Sequence, residues 1–192
     1  MSMLRVLIVA TLLGSSLATA LPVLAATAPS RTTQEQVLFD LLEAPHPQVD
    51  AKTLQRLGPD VPSILIRYAT TKTTKKTMQL RALAWLQHVP STQTLAVLRE
   101  VLYARDSDRT TLRTALRALG GGFGLAAWDD LRRHLTHREA QVREAAVWSM
   151  RDAVMQVPPE RIQALLEGRL ESEPEAFVRD AILEVLQQLR GK

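Results

Sequence analysis

The chain has 192 residues, 23% of them charged and only 4% aromatic, with no cysteine and a formal net charge of +4. The absence of cysteine excludes disulfides, thiol catalysis and lipid attachment through a cysteine, so an exported form would be held together by its core alone. So few aromatic residues leave no interleaved rings for stacking bases, which argues against nucleic acid as a partner.

The first segment, "MSMLRVLIVATLLGSSLATALPVLAATAPS", places one cation, Arg5, ahead of an uncharged and mainly apolar run from Val6 to about Ala20. Small-residue sites follow at Ala18-Thr19-Ala20, Val23-Leu24-Ala25 and Ala26-Thr27-Ala28. This is the layout of a secretory signal peptide. A membrane span needs about 20 strongly apolar residues, and Thr11, Gly14, Ser15, Ser16, Thr19 and Pro22 dilute this run. The expectation is a signal peptide at 1–25, cleaved after Ala25, then a short linker at 26–32 and a periplasmic or secreted mature protein.

From Thr33 onward the apolar period is helical, and no segment alternates as a strand. A leading helix from about Thr33 to Glu43 opens on capping-box spacing between Thr32 and Glu35. "QVDAKTLQRLG" is a weak copy of a pattern that sharpens later, with Asp50 following Val49. Val61–Ala69 reads as a short amphipathic helix. "TMQLRALAWLQHV" places Met78, Ala82, Trp85, Leu86 and Val89 on one stripe. Another short helix spans Thr94–Ala104, and "RTTLRTALRALGGG" supplies Ala115, Ala118 and Leu119. The run "GGGFG" (120–124), which lacks the strand and the Gly-Lys-Ser/Thr of a phosphate loop, reads as a flexible turn before a helix at Leu125–Leu135.

"EAQVREAAVWSMRDAV" gives Val142, Ala145, Ala146, Met150, Ala153 and Val154 as a stripe, with Arg143 directly after the leading valine. A helix at Pro159–Leu170 follows. "EAFVRDAILEVLQQLRGK" repeats the arrangement: Val178, Ala181, Ile182, Val185, Leu186 and Leu189 form one continuous face, with Arg179 after Val178. Ser172 and Glu175 have capping-box spacing, Pro174 suits a first turn, and Gly191 suits a stop.

With Ala82, Ala115, Ala146 and Ile182 taken as equivalent, the spacings are 33, 31 and 36 residues. About ten helices in pairs at such a period cannot bury their faces alone and stack side by side. "VREAAVWSMRDA" and "VRDAILEVLQQLRG" resemble the Val-Arg-x-x-Ala-x-x-Ala-Leu signature of HEAT-like repeats, in the short form first noted in phycobilisome lyase subunits. The resemblance covers nearly all of the chain after the expected signal, with its two sharp copies at the end. It implies an all-α fold at 33–192: a right-handed α-solenoid of about five HEAT-like helix pairs. It also implies that the arginine after the leading valine organises the turn and the neighbouring repeat. The spacing alone pairs Arg143 with Glu139 and Arg179 with Glu175, each an acid one turn before its base.

Charge is unevenly spread. Residues 67–117 hold ten cations and three anions, whereas 118–192 hold ten and twelve. Between Asp60 and Glu100 there is no acid at all, so Lys72, Lys75 and Lys76 are expected to be left without local neutralisation. With Arg81, Arg109 and Arg113 they are the candidate partner-binding residues, suited to an acidic protein surface or, as an alternative, a polyanion or an anionic membrane surface. His134 and His137, near Asp130 and Glu139, have no metal-site spacing and are crowded by Arg132, Arg133 and Arg138; they read as solvated helix-end residues. No catalytic, cofactor-binding or metal-ligating set is expected. The sequence therefore points to a non-enzymatic scaffold that binds another protein through a concave face, with an enzyme accessory or lyase-like role as the alternative.

Overall fold

The computed structural model describes residues 31–191, and every regular element among them is helical. The α-helices are α1 (Arg31–Glu43), α2 (Ala51–Leu57), α3 (Val61–Thr70), α4 (Lys76–Trp85), α5 (Thr92–Tyr103), α6 (Arg109–Phe123), α7 (Trp128–His134), α8 (Ala140–Asp152), α9 (Pro159–Ser172) and α10 (Ala176–Arg190). Short 3-10 turns extend α4 and α8 and lead into α7. The expected signal peptide at 1–25 lies outside the described residues, as does the expected linker except for its last two residues, which belong to α1. No helix among the described residues is long and apolar enough to cross a membrane.

Local signals explain half of these ten helix starts. Asp50 accepts from the Thr53 amide at 2.7 Å, and Asp108 accepts from the Thr111 amide at 2.9 Å, each satisfying an orphan donor of the first turn. Ser91 and Thr94 exchange side-chain and backbone bonds in a reciprocal box that opens α5. Prolines stand in the first turns of α3 and α9, where no backbone donor is needed. The expected Ser172–Glu175 box does not form. Helix α9 runs through Ser172, whose hydroxyl donates to the Arg169 carbonyl, and the Glu175 amide donates instead to the Glu173 carboxylate at 3.0 Å.

Helices α4, α6, α8 and α10 pack side by side in one row, and α3, α5, α7 and α9 each lie against the helix that follows them. This is an all-α solenoid. The equivalence drawn from the spacing holds: Ala82, Ala115, Ala146 and Ile182 are all fully buried. The weak first copy is corrected. It is α1, not α2, that packs on α4 and continues the row, while the seven-residue α2 packs on α3. Asp50 caps α2 from outside, so it has no counterpart among the arginines that follow a leading valine.

"GGGFG" is a second correction. Gly120, Gly121 and Gly122 belong to α6, and the helix stops only at Gly124, whose φ of +36° suits a residue without Cβ. The role of Gly120 and Gly122 is close approach. A Cβ on Gly120 would stand 2.3 Å from the Ser149 carbonyl oxygen, and one on Gly122 would stand 2.7 Å from Gln87 Cα. The glycines thus let α6 press against α8 on one side and the end of α4 on the other.

The repeated arginines tie turns to repeats, though not through the expected acids. Arg143 meets the Glu173 carboxylate through Nε at 2.9 Å and Nη2 at 2.7 Å, and its Nη1 donates to the carbonyls of His137 and Arg138. Arg179 donates to the carbonyls of Glu173 and Pro174 at 2.9 and 2.6 Å. Glu139 and Glu175 sit at the N-caps of α8 and α10, where their backbone is extended. They are therefore off the helical path that a one-turn pairing requires.

Candidate functional site

The six candidate cations all reach acids or carbonyls of a neighbouring repeat. Lys76 lies 2.6 Å from Asp108 and donates to Thr111 Oγ1 at 2.6 Å. Lys75 pairs with Glu43. Lys72 stands 3.9 Å from Asp106 with the two side chains 92% and 79% exposed, a loose pair in full solvent. Arg81 donates to the carbonyls of Leu42, Ala44 and Pro45, satisfying acceptors left open where α1 ends. Arg109 is 3.6 Å from Glu139, and Arg113 is 3.8 Å from Glu144.

The expectation of three unneutralised lysines is therefore corrected. The acids missing between Asp60 and Glu100 arrive from repeats that are distant in sequence and adjacent in space. The Lys76 ammonium, with further help from Thr111, holds the Asp108 carboxyl down at about 2 against an ordinary 3.8. Arg99–Asp130, Arg117–Asp152 and Arg143–Glu173 continue the same scheme, a cation on one repeat meeting an acid on the next. Much of the charge segregation along the chain is taken up in these interfaces.

A groove of about 320 Å³ across α4, α6 and α8 stays open to solvent. Ala84, Ala118 and Ala145 form its floor, the Trp148 ring forms one wall, and Arg113 and Arg117 stand on its rim. Ala84, Arg117 and Trp148 hold the same register position on successive helices, so the row sets them side by side. The Arg151 guanidinium lies 4.9 Å from the centre of the Trp148 ring, and Trp148 Nε1 donates to Glu144. The Arg113 and Arg117 side chains remain 48% and 46% exposed. An apolar slot edged by guanidinium groups fits an apolar side chain flanked by a carboxylate. Of the six candidates only Arg113 lies here. Arg117 and Trp148 were the groups to add, and their shared register position was the signal.

The histidine pair is corrected as well. His134 is buried, its Nδ1 lies 2.7 Å from the Asp130 carbonyl, and its ring stacks on His137 with centroids 5.9 Å apart. Burial pushes the His134 ring below its ordinary value. Asp130 accepts from Arg99 Nε at 2.9 Å and from the Tyr103 hydroxyl at 2.8 Å. Burial, together with this bond to Asp130, moves the Tyr103 hydroxyl up to about 12. These groups satisfy one another between α5, α7 and the turn that follows α7. No grouping of three or more metal-ligating side chains exists among the described residues.

Residues 103–187 match the family model described as HEAT repeats. Comparison with curated proteins finds no match, and comparison with solved structures finds none either. HEAT repeats generally mediate contacts between proteins. The matched segment runs from the end of α5 into α10, the region where the row is most regular and the Val-Arg copies are sharpest. Over residues 103–187 the chain is thus HEAT-like.

Proposed function

We propose that this protein is an exported, non-enzymatic scaffold that grips an acidic segment of another protein along the α4–α6–α8 face. The observation that carries the reading is the groove itself, in which Arg113 and Arg117 stand half exposed beside the Trp148 wall. Of the six candidate cations, only Arg113 lines this groove, and Lys72, the most loosely paired of the rest, adds long-range attraction rather than contact. Arg81 has its donors turned inward.

A photo-crosslinking side chain placed at Thr114, on the groove, provides the test in the producing cell's envelope. The expected product is a protein whose crosslinked segment is acidic, formed in the parent and lost in Arg113→Ser/Arg117→Ser, and weakened as salt shortens screening to about 8 Å at physiological strength. Equal crosslinking in both forms would remove the groove from the interface. Export is tested separately: the mature N-terminus is expected between Leu21 and Pro29, and N-terminal sequencing that begins at Met1 or Ser2 would overturn it.

A further inference from the structure

We propose that the outer face of the last helix pair, α9–α10, docks a basic amphipathic helix from another protein, in the position that a following repeat would occupy. Register carries the argument. Leu83, Leu116, Val147 and Leu183 occupy one position, each directly after the equivalent residues Ala82, Ala115, Ala146 and Ile182. The first three are 2%, 0% and 0% exposed beneath the next helix of the row, and Leu183 is 50% exposed. It lines a cavity of about 520 Å³ together with Leu170 and Leu186, beside Glu171 and the Glu167–Arg190 ion pair. The shape left open on α10 is thus the shape that a helix fills on α4, α6 and α8.

Charge selects which helix. On α6 the two flanking positions are Arg113 and Arg117, and the next helix of the row answers with Glu144 and Asp152. On α10 those same positions are Asp180 and Glu184. Both are exposed, and among the described residues neither enters an ion pair. The polarity that α6 shows to α8 is thus inverted on α10. A helix that docks on α10 as α8 docks on α6 has to bring cations about two turns apart to Asp180 and Glu184, with apolar side chains between them over Leu183. A second copy of this chain presenting the same face would set acid against acid, so the occupant is a different protein. This inference stands independently of the groove at Arg113 and Arg117, which lies on another part of the row and has the opposite sign.

Fluorescence anisotropy with two synthetic amphipathic helices tests it, one built from Leu and Lys and its twin with Glu in place of every Lys. The chain's net charge of +4 would favour the Glu peptide if attraction were nonspecific, so preference for the Lys peptide reports a local site. The expected result is binding of the Lys peptide about tenfold tighter than of the Glu peptide, with a loss of similar size in Leu183→Asp and in the milder Leu183→Ala. Asp180→Lys/Glu184→Lys is expected to reverse the preference, and Arg113→Ser/Arg117→Ser to leave Lys-peptide binding unchanged. Equal affinity for the two peptides, retention of the preference in the charge-reversed variant, or unaltered binding in both Leu183 variants would overturn the proposal. So would sedimentation showing a wild-type dimer that Leu183→Ala dissolves, since the occupant would then be a second copy.

Discussion

Arg143 and Arg179 follow equivalent valines, yet they do different work. Arg143 is almost fully buried and grips a carboxylate that is itself completely buried, whereas Arg179 caps two carbonyls at a wetter edge. Removing Arg143 would leave Glu173 with one cation, Arg169 at 2.6 Å, and the Glu175 amide. Arg143→Ala is therefore expected to cost about 3 kcal/mol, the lower end for breaking a buried pair because one cation stays. Arg179→Ala should cost about 1 kcal/mol, the scale of ordinary hydrogen bonds. Urea melts that gave both variants equal losses would show that burial does not separate them. Glu173 also gives a pH signature. Burial alone would raise its carboxyl, but the bonds from Arg143, the Glu175 amide and Arg169 outweigh that and hold it at about 2 against an ordinary 4.5. A depressed folded value means that its contribution to stability is present above pH 4.5 and is lost as pH falls through that value toward 2. Glu173→Gln should flatten stability against pH in that window, and a parallel curve would contradict the assignment.

Helix α6 shows what an element needs beyond propensity. Three consecutive glycines are poor helix formers, each costing about 0.5–1 kcal/mol against alanine, and Gly120 and Gly122 are kept because the backbones of α8 and of the end of α4 come too close for a Cβ. Gly120→Ala should therefore destabilise by about 1–3 kcal/mol, as overpacking against a backbone carbonyl usually does. Gly168, inside α9, is the matched control, since a Cβ there would meet nothing within 4 Å. Gly168→Ala should stabilise by about 0.5–1 kcal/mol. Thermal melts that moved the two variants in the same direction would mean that close approach is not what keeps the α6 glycines.

At the scale of the whole molecule, each repeat rests mainly on its neighbours, so damage should stay local before it spreads. Ile182 is fully buried in α10, and Ile182→Asp places an unpaired carboxylate there, at a cost of several kcal/mol. Hydrogen exchange should then accelerate first in α9 and α10 while α4 and α6 keep their protection. A uniform loss across all helices would point to a single cooperative core instead of a stack, and no loss would mean that the register is wrong.

The helices, their pairing and the register of the row follow from short-range periodicity. Apolar residues at i, i+3 and i+4 must face a neighbour whatever that neighbour is, and the near-constant spacing from Ala82 to Ile182 makes the neighbour another copy. The same pattern could not assign charges. Glu43, Asp106 and Asp108 neutralise lysines about one repeat away, and only stacking brings them within reach. Nor could it identify the glycines of α6 as contact points, because a turn and a close helix crossing both ask for a missing Cβ. Sequence distance along a helix is read in one dimension, whereas charge pairing and backbone clearance depend on which helix lies alongside, and in a stack that is settled in space.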